Sequence, residues 1–197
     1  MLKVYLLRHG ETTYNADGNR YCGRTDIELT DKGMAQANLA NTLLKDVQFD
    51  AVYSSPLKRA KITAAIASGR EVLTDDRLIE VDFGTWEGKT RTTFIAENEL
   101  LWNAWAANPQ LAKAGGTGES GEAVVDRVDD FFKEIKQNYP NGTILVVAHN
   151  GVNRLYMAYK LGMPLKNYRQ LAQENSSITL FELDENEEFT LKKLNAI

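Results

Sequence analysis

Cysteine is almost absent from this chain. Cys22 is the only one in 197 residues, so no internal disulfide can form. Histidine is nearly as scarce: His9 and His149 alone are too few for a zinc cluster. No apolar run approaches the roughly 20 residues of a membrane helix. No basic run stands out against a formal net charge of -4, which argues against nucleic acid as a partner. The chain opens without a signal-peptide pattern. With so little cysteine, these features together point to the cytoplasm. Three phosphate-handling signatures are also missing. Gly84-Thr85-Trp86-Glu87-Gly88-Lys89-Thr90 has three residues between its glycines, where a P-loop needs four. Six positions after Cys22 stands Glu28, so there is no Cys-x5-Arg loop, and Cys22 in its polar loop reads as incidental. No Asp-x-Asp pair is available for an aspartyl phosphatase that uses magnesium.

What is present fits one ordinary domain. Hydrophobic residues make up 43% and charged residues 25% of the chain, enough for one sizeable core. The pattern predicts strands at 3–8, 51–54, 71–74, 143–148, 177–183 and 189–194. It predicts helices at 31–45, 57–68, 92–106, 121–138 and 151–161, with loops at 9–29, 75–91 and 114–121. Val124, Val128, Phe131, Phe132 and Ile135 share one face of the helix at 121–138. Thr30 is placed to cap the helix that begins at Asp31. Ile178-Thr179-Leu180-Phe181 and Phe189-Thr190-Leu191 read as a hairpin across an acidic turn. Strands alternating with helices indicate an α/β fold, mostly parallel, with an antiparallel edge.

The chemistry concentrates at strand ends. Arg8-His9-Gly10-Glu11 follows the apolar run Val4-Tyr5-Leu6-Leu7, and His149-Asn150-Gly151 follows Ile144-Leu145-Val146-Val147-Ala148. Ligands in open α/β sheets bind at the carboxyl ends of strands, so both histidines are expected to face one pocket. A strand-end arginine beside a histidine is costly to bury without an anion, and a phosphate matches its guanidinium fork. A neutral imidazole is a competent nucleophile toward phosphorus. Arg59, in Ser54-Ser55-Pro56-Leu57-Lys58-Arg59-Ala60, lies where another strand feeds a helix N-terminus, a ready anion site. Glu80-Val81-Asp82-Phe83-Gly84-Thr85-Trp86-Glu87-Gly88 sets three carboxylates among aromatics. A carboxyl against such rings is pushed toward its neutral form, as a general acid requires. Composition does not choose among Glu80, Asp82 and Glu87.

Taken in order, these segments resemble the histidine phosphatase superfamily, branch 1, in its phosphoglycerate mutase-like family. Leu7-Arg8-His9-Gly10-Glu11-Thr12-Thr13-Tyr14-Asn15 resembles its opening signature, and Leu29-Thr30-Asp31-Lys32-Gly33 the start of its first helix. Tyr53 to Ala60, Glu80 to Gly88, Gly118-Glu119-Ser120 and Val147 to Gly151 complete the series. The resemblance implies a three-layer α/β/α sandwich around a mostly parallel mixed sheet, in one domain over 1–197 with a helical cap near 75–120. It implies that His9 is the phosphorylated nucleophile and Glu80 the proton donor, with Arg8, Arg59 and His149 around the phosphoryl oxygens. It places Gly10, Thr12, Asn15 and the Cys22-Gly23 backbone on the substrate side, and it implies no metal. Two departures stand out. Lys61 and Ile62 follow Arg59 where arginine and acidic residues are frequent. Asn150 stands where many phosphatases of this branch carry glycine, so it bears on substrate shape near His149.

The family holds both mutases and phosphatases. A mutase keeps water off the phosphohistidine and returns the phosphoryl group, with 2,3-bisphosphoglycerate as cofactor; a phosphatase admits water. The segment after Glu80 lacks the longer basic insertion of the mutases, which favours a phosphatase without cofactor, acting on a small phosphorylated metabolite such as a sugar phosphate or cofactor precursor. A mutase is the alternative. A binding module without turnover is a third reading, disfavoured because His9, Arg8, Arg59, Glu80 and His149 are all present. Phe94, Leu101, Trp102 and Trp105 are expected mainly to pack on the body. Lys89 and Arg91 are candidates for a second anionic group. Natural substrate and oligomeric state are not legible at this level.

Overall fold

The computed structural model describes all 197 residues, Met1 to Ile197. Six strands form one sheet in the order β3-β2-β4-β1-β5-β6. They are β1 Leu2–Arg8, β2 Ala51–Ser54, β3 Leu73–Thr74, β4 Thr143–Ala148, β5 Ile178–Leu183 and β6 Phe189–Ala196. The first four are mutually parallel, and β5 and β6 complete an antiparallel edge. The expected mixed sheet is therefore present.

Alternation along the central strands makes the layers. Val4 and Leu6 of β1, with Ile144, Val146 and Ala148 of β4, join one core with helices α6 (Gly121–Asn138) and α7 (Asn150–Lys160). Leu7, Leu145 and Val147 point the other way, toward α2 (Asp31–Leu44) and α3 (Lys58–Ser68). Both sheet faces are covered, so both strands read as unbroken apolar runs rather than alternating ones.

Three elements depart from the sequence reading. The loop 9–29 holds one short helix, α1 (Thr13–Ala16), whose cap Thr12 forms a reciprocal capping box with Asn15. The helix expected at 92–106 is two, α4 (Arg91–Glu97) and α5 (Glu99–Ala107). Asn98 leaves helical geometry and its side chain caps α5, accepting from the Leu101 amide at 3.3 Å. The strand at 71–74 shrinks to the exposed edge pair Leu73–Thr74. No helix is long and apolar enough to cross a membrane.

Candidate active site

β1 and β4 are adjacent and parallel, with Arg8 opposite Ala148. A histidine follows each strand at once. The His9 amide donates to the Ala148 carbonyl at 3.0 Å, and the two imidazole centroids lie 5.1 Å apart. Beyond them the chain diverges. After β1 it runs to the α2 layer; after β4 it enters α7 on the opposite face. This divergence is a topological switch point, where such sheets bind ligands.

Hydrogen-bond partners assign different tautomers to the two rings. Nδ1 of His9 lies 2.6 Å from the Gly10 carbonyl oxygen. A carbonyl only accepts, so Nδ1 carries the proton and Nε2 keeps a free lone pair. Nδ1 of His149 instead accepts from Arg59 Nε at 3.2 Å, so Nε2 carries the proton. That buried Nε2–H has no protein partner. Burial, reinforced by nearby arginine charge, holds both imidazoles well below their ordinary range, so both are neutral.

Arg8 donates through Nη1 to the Gln173 carbonyl at 3.0 Å, while its buried Nε has no partner. Burial lowers this guanidinium to about 10. Arg59 is fully buried. Besides His149, it donates through Nη1 to the Thr25 carbonyl at 2.7 Å and through Nη2 to those of Cys22 and Gly23 at 3.1 and 2.9 Å. Four of its five hydrogens are thereby engaged, so in this structure it holds the imidazole and the 22–25 loop.

The structure separates the three carboxylates. Glu80 is buried at the start of α7. Oε1 accepts from the amides of Val81 and Val152 at 2.9 and 2.8 Å, and Oε2 from Gly151 at 2.9 Å. Backbone amides, rather than the ring faces expected from sequence, thus surround the carboxyl group. Asp82 accepts from the Gly84 amide and makes a turn. Glu87 accepts from the amides of Gly23 and Thr25, so it braces the loop that Arg59 also grips.

A cavity of about 450 Å³ opens over this centre, its wall including Arg8, His9, Asn15, Cys22, Glu80 and Asn150. Segment 75–120 adds Phe83, Thr90, Arg91 and Thr92. Gly10, Thr12 and Gly23 do not reach the wall. A side chain at Gly10 would press into the Gly33 carbonyl, so this glycine allows the loop to lie on α2. Thr12 is buried as the α1 cap, and the Gly23 amide is taken by Glu87. Burial pushes the Cys22 thiol up to about 11, so it is no nucleophile. Lys89 pairs with Glu97 and also leaves the wall. No group of three or more His, Cys, Asp or Glu side chains is placed to hold a metal ion.

Several supporting residues carry no sequence signal of their own. Asn175 donates to the His9 carbonyl at 3.0 Å. Thr63 Oγ1 accepts from the Gly10 amide at 2.9 Å. Arg127 ties Glu119 to the carbonyls of Arg77 and Glu80. Arg154 and Arg169 line the cavity far from any recognised motif, though Arg154 lies one turn beyond Asn150.

Comparison with known proteins agrees with this geometry. The family model of the histidine phosphatase superfamily (branch 1) matches residues 4–197. Phosphoserine phosphatase 1 of Hydrogenobacter thermophilus is 33% identical over 195 residues, covering 98% of this chain and 92% of its own. The adenosylcobalamin/alpha-ribazole phosphatase of Escherichia coli is 38% identical over 168 residues, 83% of this chain and 81% of its own. A crystal structure of phosphoserine phosphatase from Entamoeba histolytica, in complex with 3-phosphoglyceric acid, superposes with a TM-score of 0.91 at 31% identity, covering 100% of this chain and 98% of that one. With its strand-end histidines, its buried arginines and a family match over nearly its whole length, the chain belongs to branch 1 of the histidine phosphatase superfamily and is an enzyme of that family.

Proposed function

We propose that the protein is a phosphomonoesterase that works through a phosphohistidine on His9 and acts on a small phosphorylated metabolite in the cytoplasm, without metal or cofactor. One observation carries the reading. Arg8 Nε and His149 Nε2 are buried donors without protein partners, beside a neutral imidazole lone pair. Buried donors are rarely left unpaired, and phosphoryl oxygens satisfy both.

The reaction has two half-steps. His9 Nε2 forms a bond to phosphorus as the ester P–O bond breaks. Arg8 and His149 donate to the equatorial oxygens, where negative charge collects. Glu80 gives its proton to the departing alkoxide. Water then attacks the phosphohistidine, Glu80 takes a proton from it, and phosphate leaves with His9 restored. Oε2, with one amide donor against two at Oε1, is the less engaged oxygen and the natural site for that proton.

The test is to incubate the protein with 3-phosphoglycerate, a trace of 2,3-bisphosphoglycerate and a panel of phosphomonoesters, following free phosphate and 2-phosphoglycerate together. Phosphate release without isomerisation is the expected result. Rapid formation of 2-phosphoglycerate that depends on His9, with little free phosphate, would make the protein a mutase.

A further inference from the structure

Three arginines on the cavity wall take no part in the phosphoryl chemistry. Arg91, Arg154 and Arg169 line the cavity, and none of them is in an ion pair. They are held by aromatic rings instead. The Arg169 guanidinium lies 4.2 Å from the Trp102 ring centroid and 5.2 Å from that of Tyr168. Its Nε donates to the Tyr168 hydroxyl at 3.0 Å and its Nη2 to the Tyr21 hydroxyl at 3.2 Å. Arg154 lies 5.2 Å over the Tyr168 ring and Arg91 5.6 Å over Trp102. The result is a ladder, Arg91-Trp102-Arg169-Tyr168-Arg154, along one side of the cavity.

Stacking fixes the planes of these guanidinium groups without neutralising them. Donors remain free: neither Nη2 of Arg154 nor Nη1 of Arg169 has a partner in the protein. Burial, and the neighbouring Arg169 charge, hold Arg154 below its ordinary value. Five arginines line this cavity against a single carboxylate, Glu80, an excess of positive charge that is costly to hold unless a ligand supplies an anion. The phosphoryl group is already served by Arg8 and His149, so this ladder calls for a second anion.

We infer that Arg154 and Arg169, with Arg91 at the edge, form a subsite for a second anionic group on the leaving alcohol, a carboxylate or a further phosphate. This rests on the phosphomonoesterase reading above. The substrates it selects are phosphomonoesters of small hydroxy acids or amino acids, or bisphosphates, rather than of neutral alcohols.

The experiment compares kcat/KM for three esters of similar size: 3-phosphoglycerate, glycerol 3-phosphate and propane-1,3-diyl bisphosphate, with p-nitrophenyl phosphate as a general substrate. In the wild type, at least one doubly anionic ester should exceed glycerol 3-phosphate by on the order of tenfold or more. Which one does so distinguishes carboxylate from phosphate. In Arg154→Gln and Arg169→Gln that ratio should fall by on the order of tenfold, chiefly through KM. Arg154→Gln loses bonds to the Tyr168 carbonyl and Asn150 Oδ1, and Arg169→Gln loses bonds to the Tyr21 and Tyr168 hydroxyls, the latter still held by Trp105; thermal melts therefore accompany both. A ratio near one in the wild type, or one unchanged in both variants, would overturn the subsite alone. Absence of phosphate release from every ester by the wild type would overturn the phosphomonoesterase reading, and this inference with it.

Discussion

Arg59 fixes the tautomer of His149. Its Nε donates to Nδ1 at 3.2 Å, which leaves the ring proton on the buried, unpartnered Nε2. The same guanidinium grips the carbonyls of Thr25, Cys22 and Gly23, and Glu87 holds the amides of Gly23 and Thr25 from the other side. One buried cation therefore sets both the second imidazole and the loop beside it. A lysine ammonium cannot span four acceptors arranged around a planar fork. Arg59→Lys should lower kcat on p-nitrophenyl phosphate by about 10²-fold or more, comparable to losing one preorganised donor. Near wild-type kcat would show that the four-bond grip of Arg59 on His149 and the 22–25 loop is not needed for turnover.

Gly151 guards the position of Glu80. A Cβ there would come 2.7 Å from Glu80 Oε1, although alanine suits a helix better than glycine. Gly151→Ala should therefore displace the carboxyl group while leaving the melting temperature within a few degrees. The rate loss should be larger for alkyl phosphates, which need a proton on the leaving oxygen, than for p-nitrophenyl phosphate. Glu80→Gln should show the same bias, plus destabilisation of roughly 1–3 kcal/mol, because an amide NH2 would face backbone N–H donors. Equal losses on both ester types in both variants would remove Glu80 from the acid role.

The legible part of this molecule lies where one residue does one local job. The central strands announce themselves because both faces are buried, and the histidines because each follows its strand directly. Thr30 and Val124 to Ile135 behave as helix patterning predicts. What the sequence hides depends on pairs distant along the chain. Gly10 reads as a substrate contact until Gly33 is seen against it. Three acids within eight residues look alike until Gly23, Gly84 and Gly151 each claim one. Trp102 reads as packing, and its ring does pack on Trp86 and Phe94 of the core, but it also carries two arginines. The break at Asn98 escapes because its cap interrupts an apolar pattern that continues beyond it.

The proposed covalent step can be tested directly. Brief mixing with a phosphomonoester labelled in the phosphoryl group, followed by a denaturing quench, should trap one labelled site that is acid-labile and base-stable, as expected of phosphohistidine. His9→Ala should give no label and no turnover. Excess chelator should change neither result. Loss of activity in chelator, restored by a divalent cation, would contradict the proposed metal-free chemistry.

Burial of two neutral imidazoles makes stability depend on pH in a definite direction. The folded chain holds His9 and His149 well below 6.5, whereas unfolding returns both to about 6.5. Above that value neither state binds the protons, and the two histidines contribute no pH dependence. Below it the unfolded chain takes up protons that the folded chain refuses, so stability falls as pH falls, until the folded values are reached. The slope approaches about 1.4 kcal/mol per pH unit for each histidine. Urea melts between about pH 7.5 and 5 should show this decline, before most carboxylates begin to titrate. His149→Gln removes one of the two groups, so its slope should be about half that of the wild type. Added phosphate should protect the wild type, because an oxyanion beside the rings offsets the cost of a proton there. Parallel slopes for the wild type and His149→Gln would mean that His149 does not resist protonation in the folded chain.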